Sequence, residues 1–97
     1  ISGQLPINPF TGEKCQGTIK EQTKQVLDNF NYILKATKVE KENVLKMVIY
    51  IADISLWDEV NKIMGDFFGN HYPARSIVPV KELHYGFLIE AEGIVKL

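Results

Sequence analysis

Cysteine and histidine are scarce in this sequence. The one cysteine, Cys15, has no partner in the chain for a disulfide, and the two histidines, His71 and His84, lack the spacing to other ligands that is typical of a zinc site. We therefore expect no structural or catalytic metal. A fold without disulfides suits a reducing compartment, so we expect the protein in the cytoplasm.

Long apolar segments and an excess of one charge are also missing. No apolar segment approaches the ~20 residues that a membrane-spanning helix needs. The 11 basic residues are balanced by 12 acidic ones, and the lysines are scattered along the chain rather than clustered. Because nucleic-acid binding requires a basic surface, we expect neither a nucleic acid nor a membrane as partner.

Arginine occurs once, at Arg75, which follows a Pro73-Ala74 turn at the start of an expected strand. A guanidinium can hold a carboxylate through two parallel hydrogen bonds. Further along, Glu90 and Glu92 are two residues apart in an otherwise apolar strand, so their side chains point to the same face. Such acids need a partner or a task. Two interpretations stay open: Arg75 forms a structural ion pair with one of them, or these residues form a binding site.

Apolar residues at steps of three and four predict two helices. The first is predicted to begin at Thr18, which with Glu21 forms the pattern of a capping box. The second is predicted to begin at a cap formed by Ser55 and Asp58 and to end at Gly69, a typical C-terminal glycine.

Extended segments are predicted before, between and after these helices: residues 1–7, 44–52 and 87–95, and a strand containing Arg75. The apolar segment 44–52 indicates a central strand that is covered on both faces. Proline cannot donate to a ladder, so Pro79 places the Arg75 strand at an edge or at a bulge. The order predicts an α+β sandwich, with two helices on one face of a mixed sheet. Its excess of apolar sheet surface indicates contact between subunits.

Several segments resemble the RidA family, also called YjgF and, in older descriptions, endoribonuclease L-PSP. The matching segments are Ser2-Gly3-Gln4-Leu5-Pro6, Thr11-Gly12-Glu13, His71-Tyr72-Pro73-Ala74-Arg75-Ser76 and Ile89-Glu90-Ala91-Glu92-Gly93. The resemblance covers nearly the whole chain, as one RidA-like domain over residues 1–97. It implies a homotrimer with a chorismate-mutase-like fold of the bacillary type. It also implies a strand or hairpin before residue 1, and with it a mitochondrial targeting segment as an alternative to a cytoplasmic location.

The function that this resemblance implies is a hydrolase, a 2-iminobutanoate/2-iminopropanoate deaminase. Such enzymes convert reactive enamines and imines, for example 2-aminoacrylate, to 2-oxo acids and ammonia without a cofactor. Matched by position, Arg75 corresponds to the arginine that binds the substrate carboxylate, and Glu90 to the glutamate that positions water. The cleft lies between subunits, and the other residues that would line it are Ser2, Gly3, Ser76 and Ile77.

The sequence departs from the family pattern at three places. Ile77 stands where cysteine is common, His84-Tyr85 replaces a common Pro-Lys pair, and a tyrosine near the N-terminus is not in this chain. Two other functions stay open: an endoribonuclease or translation inhibitor of the L-PSP type, and a non-catalytic trimer that binds a small ligand. The near-neutral charge disfavours the first of these.

Overall fold

The structure, a computed structural model, describes residues 1–97 and contains two helices and three strands. In chain order these are α1 (Ile19–Thr37), β1 (Val44–Ile51), α2 (Trp57–Phe68), β2 (Ala74–Pro79) and β3 (Ile89–Val95). Short 3₁₀ turns lie at Lys41–Asn43, Ile54–Leu56 and His84–Gly86. Neither helix has the combination of length and apolar composition that crossing a membrane would require.

The three strands form one mixed sheet in the order β2-β1-β3. Strand β1 is central, parallel to β2 and antiparallel to β3, and β2 with its Pro79 lies at an edge, as predicted. The predicted strand over residues 1–7 is reduced to a bridge. Gln4 and Ala91 exchange backbone hydrogen bonds of 2.6 and 3.1 Å, so the first residues run along the outer edge of β3.

The helices cover one face of the sheet. Alternate residues of β1, among them Met47 and Ile49, are fully buried on that face, together with Ile89 and Ala91 of β3 and Phe30 of α1. On the other face Val48 and Tyr50 stay partly exposed. The prediction that β1 is covered on both faces is therefore wrong for a single chain, because the hydrophobic core of one chain lies on one side of the sheet only.

The cap of α1 is confirmed and that of α2 is corrected. Thr18 Oγ1 accepts a hydrogen bond from the Glu21 backbone N–H at 3.2 Å, and Glu21 Oε1 accepts one from the Thr18 N–H at 3.0 Å. The Thr18 N–H holds the pKa of Glu21 below its usual value. The predicted pair of Ser55 and Asp58 does not cap α2. Asp53 instead accepts from the Ser55 N–H at 2.8 Å and starts the 3₁₀ turn that leads into α2.

Gly69 ends α2 as predicted, with φ of 64°, a backbone conformation that favours glycine. The loop after it leads directly to β2, so the edge strand that carries Arg75 starts next to the end of α2.

Candidate active site

The guanidinium of Arg75 is held by neighbours from α2 and from the loop that precedes β2. Arg75 lies opposite Met47 in the sheet, so its side chain projects from the side of the sheet that the helices cover. Its Nε donates to Asn61 Oδ1 at 3.1 Å, and its Cζ lies 3.7 Å from the centre of the Tyr72 ring. Its two terminal nitrogens have no hydrogen-bond partner in the chain. The edge of the guanidinium formed by these two nitrogens is therefore free to bind a carboxylate.

The structural ion pair between Arg75 and one of the acids does not form within the chain. The chain has one ion pair, between Lys24 and Asp28 on the surface of α1. Arg75 is exposed at the edge of the sheet and has no carboxylate neighbour. Of the two interpretations that the sequence left open, the structural pair is excluded for a single chain.

Glu90 lies on the open face of the sheet, beside the first residues of the chain. Its carboxylate occupies the space where a Cβ atom of residue 3 would stand, and only glycine leaves that space. Glu90 lies opposite Tyr50 and is partly exposed, and its carboxylate accepts no hydrogen bond from the chain. Glu90 thus has no hydrogen-bond or ion-pair partner in the chain, and it lies next to the first residues of the chain, which run along the outer edge of β3.

Glu92, on the same face, does have a partner. Tyr50 Oη donates to Glu92 Oε1 at 2.5 Å. This hydrogen bond, together with partial desolvation and the negative charge of the carboxylates, raises the pKa of Tyr50. The sequence could not separate Glu90 from Glu92, because both point to one face. The structure distinguishes them: Glu92 is engaged with Tyr50, and Glu90 is free.

The candidate residues form two separate groups within one chain. We define the Arg75 half-site as Arg75, Ser76 and Ile77, and the Glu90 half-site as Ser2, Gly3 and Glu90. The half-sites lie on strands β2 and β3, with β1 between them. Two strand spacings of about 4.8 Å therefore separate their backbones. Arg75 and Glu90 also point to opposite faces of the sheet. One chain cannot bring them into contact with one small ligand.

Within the Arg75 half-site the two residues after the arginine alternate. Ser76 lies opposite Val48 and faces the open side, whereas Ile77 lies opposite Ile49 and is partly buried on the helix side. Ile77 thus shares the helix side with Arg75 but is partly buried there, and its predicted contact with a ligand stays a prediction.

Sequence reasoning missed the residues that support Arg75. The sequence does not identify a partner for Asn61, and Tyr72 stands out only as part of the segment that resembles the RidA family. Their contacts with Arg75 join α2, the loop after it and β2, so they depend on the fold.

The concave surfaces of the single chain lie elsewhere. The largest, about 610 Å³, is at the C-terminal end of α1 and is lined mainly by charged residues from α1 and the turn after it. None of the four cavities includes Arg75 or Glu90. No three histidine, cysteine or acidic side chains lie together as a potential metal site.

Comparison with known proteins places the chain in a family. The family model described as Endoribonuclease L-PSP matches residues 1–97. A RutC family protein of Pyrococcus horikoshii is 42% identical over 94 residues, which cover 97% of this chain and 75% of that protein. A human protein named 2-iminobutanoate/2-iminopropanoate deaminase is 37% identical over 94 residues, covering 97% of this chain and 69% of its own length.

Solved structures agree with the sequence comparison. The crystal structure of a Rid family protein from Yersinia pestis superposes with a TM-score of 0.94 at 40% identity, covering 99% of this chain and 77% of that one. The predicted resemblance and the α+β fold are both confirmed. With the match of its whole length to the family model, this shows that the chain belongs to the Rid family, described in that model as endoribonuclease L-PSP.

Proposed function

We propose that the protein hydrolyses small enamines and imines of 2-amino acids, such as 2-aminoacrylate, to 2-oxo acids and ammonia. The site is built from the Arg75 half-site of one copy and the Glu90 half-site of another. The observation that carries the proposal is the pair of half-sites on opposite faces of the sheet, each with a charged group that has no carboxylate or cation partner. The deaminase name of the human relative supports the same chemistry.

A second copy is favoured by the open face of the sheet. Val78 of β2 and Ile94 of β3 lie on that face, and 38% and 60% of their surfaces are exposed. Exposed apolar side chains on a sheet face are typical of a subunit interface. A closed ring of identical copies repeats the same contact and generates identical sites at each junction. We therefore propose a homotrimer, as the family resemblance implies, with one site at each junction.

The proposed chemistry uses the two charged groups differently. The terminal nitrogens of Arg75 bind the substrate carboxylate through two hydrogen bonds. The enamine takes a proton from solvent on C3 and becomes the imine. Glu90 accepts a proton from water as the water oxygen bonds to C2, and passes it to the imine nitrogen to give a carbinolamine. Glu90 then accepts the hydroxyl proton as C2=O forms and passes it to nitrogen as the C2–N bond breaks and ammonia leaves.

The alternative endoribonuclease function draws no support from either half-site. Neither contains a histidine, and Arg75 is the only cation among their residues. RNA binding depends on several phosphate contacts from basic side chains. The non-catalytic alternative uses the same cleft, so the following experiment decides between it and hydrolysis.

The test measures release of 2-oxo acid from 2-aminoacrylate, produced in place by a dehydratase acting on serine. We expect the wild type to accelerate release over the spontaneous reaction, and Arg75→Ala to reduce kcat/KM by about 100-fold or more, since it removes a two-bonded charged contact. Because Arg75 is exposed, its loss is expected to leave the fold intact.

The matched control is Lys62→Ala, which removes an exposed cation of α2 away from Arg75's contacts. It should keep the wild-type rate. Full activity of Arg75→Ala would refute the carboxylate contact. A wild type that binds a 2-oxo acid without accelerating hydrolysis would replace the enzyme by the ligand-binding alternative.

A further inference from the structure

We propose that Asn61 and Tyr72 are positioning residues that hold the guanidinium of Arg75 in a fixed orientation before a ligand arrives. This inference rests on the proposed function, because it assigns a reason for the geometry around the carboxylate-binding group. The three residues come from α2, from the loop after it, and from β2. They are brought together only by the fold.

Two contacts restrain the guanidinium from different directions. The Tyr72 ring lies against it, with Arg75 Cζ 3.7 Å from the ring centre. Asn61 Oδ1 accepts a hydrogen bond from Arg75 Nε at 3.1 Å, which restricts the rotation of the group. The two terminal nitrogens are left unoccupied on the far edge, where a carboxylate can bind both.

Tyr72 is itself held on two sides. Its hydroxyl donates to Asn61 Oδ1 at 2.8 Å, so this one amide oxygen accepts from both Tyr72 and Arg75. Its ring stacks on Phe68, with centroids 5.9 Å apart and planes inclined by 14°. Phe68 is 5% exposed and belongs to the core. The support for Arg75 therefore extends as a stack from the core to the surface.

Partial burial strengthens this arrangement. Desolvation raises the pKa of Tyr72, although the positive charge of Arg75 acts in the opposite direction. The hydroxyl therefore stays protonated near neutral pH and continues to donate to Asn61. An exposed arginine without such neighbours would lose side-chain freedom on binding a ligand, which weakens binding. The stack on Tyr72 and the shared amide of Asn61 already restrict the Arg75 side chain before a ligand binds, so less side-chain freedom is lost on binding.

The neutral amide of Asn61 is important to the inference. A carboxylate at this position would also accept from Nε, but it would form an ion pair with Arg75 and repel the carboxylate of a ligand. An amide orients the guanidinium and leaves its charge available. Asn61→Asp is therefore expected to weaken ligand binding although it keeps the acceptor atom.

The experiment compares the dissociation constant of pyruvate, a stable 2-oxo acid, in variants of the intact protein. We expect Asn61→Ala to weaken binding by about 10-fold, the effect of removing a hydrogen bond to a charged group. Tyr72→Leu should weaken it by about 3- to 10-fold, and Tyr72→Phe by less, because phenylalanine keeps the stacked ring. In turnover, the same variants should raise KM and leave kcat within about 2-fold. Lys62→Ala should bind as the wild type does.

A double-mutant cycle with Arg75→Ala separates positioning from a general structural role. If Asn61 acts through Arg75, Asn61→Ala has no further effect in a chain that already lacks the guanidinium. An equal loss in both backgrounds, or wild-type binding by both Asn61→Ala and Tyr72→Leu, would overturn the inference while leaving the proposed function standing. Wild-type binding by Arg75→Ala alone would overturn the carboxylate contact and this inference together. Tyr72→Phe, which keeps the packed ring, provides the test if Asn61→Ala does not fold.

Discussion

At the scale of single residues, Gly3 makes the position of Glu90 possible. The carboxylate of Glu90 fills the space beside the Gly3 Cα atom, on the face of the sheet away from the helices. Glycine in an extended segment often marks a place where another group approaches closely. Here the approaching group is the acid to which we assign the proton transfers.

The replacement Gly3→Ala tests this relation. Its added methyl group collides with the end of the Glu90 side chain, which is flexible and can move aside. We therefore expect little change in thermal stability. Displacement of a catalytic group by about 1 Å costs on the order of 100-fold in rate, so kcat should fall by roughly 10- to 100-fold. Unchanged kcat in a folded Gly3→Ala protein would show that the position of Glu90 does not matter for turnover.

Residue identity and spacing predicted part of the candidate site. The only arginine and the pair of acids were recognisable from the sequence, because their chemistry is unusual in the strands where they occur. The distinction between the acids was not, since the hydrogen bond from Tyr50 to Glu92 joins two different strands. The contact between Asn61 and Arg75 likewise depends on how α2 lies against β2.

At the scale of elements, the sequence predicted both helices and the central position of β1, but not what covers its second face. The apolar segment 44–52 is equally compatible with a strand between two layers of one chain and a strand between two chains. The predicted cap of α2 is wrong because the Asp53 side chain accepts a hydrogen bond from the Ser55 N–H. This bond caps the short 3₁₀ turn before the helix and not α2 itself. Local patterns of this kind identify polar groups near a helix start without fixing which N–H they bind.

The packing of α1 on the sheet depends on the absence of a side chain at Gly93. A Cβ atom there would lie 2.9 Å from both Met47 Sδ and Phe30 Cε1. We expect Gly93→Ala to lower the free energy of unfolding by about 1 to 3 kcal/mol, the usual cost of overpacking. Urea denaturation at one fixed protein concentration measures it, since stability of an oligomer depends on concentration.

Gly65 within α2 provides the matched control. A Cβ atom there would meet only the Tyr72 ring, at an ordinary contact distance of 3.5 Å. Because glycine weakens a helix interior, Gly65→Ala should raise stability by about 0.5 to 1 kcal/mol. If both replacements changed stability in the same direction, close packing between α1 and the sheet would not be the cause of the Gly93 effect.

At the scale of the whole molecule, one chain holds the two half-sites apart, so the proposed site cannot form within a single chain. The Arg75 and Glu90 half-sites lie on different strands and face opposite sides of the sheet. The sequence indicated an association of copies through its excess of apolar strand residues. It could not give the geometry, because the arrangement of half-sites follows from strand order and side-chain direction. A second copy that covers the open face can complete a site at each junction.

The most direct measurement of this claim mixes two inactive variants, Arg75→Ala and Glu90→Gln, in equal amounts during refolding. If each site takes Arg75 from one copy and Glu90 from the next, random mixing restores complementary neighbours in about a quarter of the sites. We predict that 2-oxo acid release from 2-aminoacrylate recovers to about a quarter of the wild-type rate, while each variant alone stays inactive. If mixed oligomers form, as shown by two different affinity tags, and remain as inactive as the separate variants, a site shared between copies is contradicted.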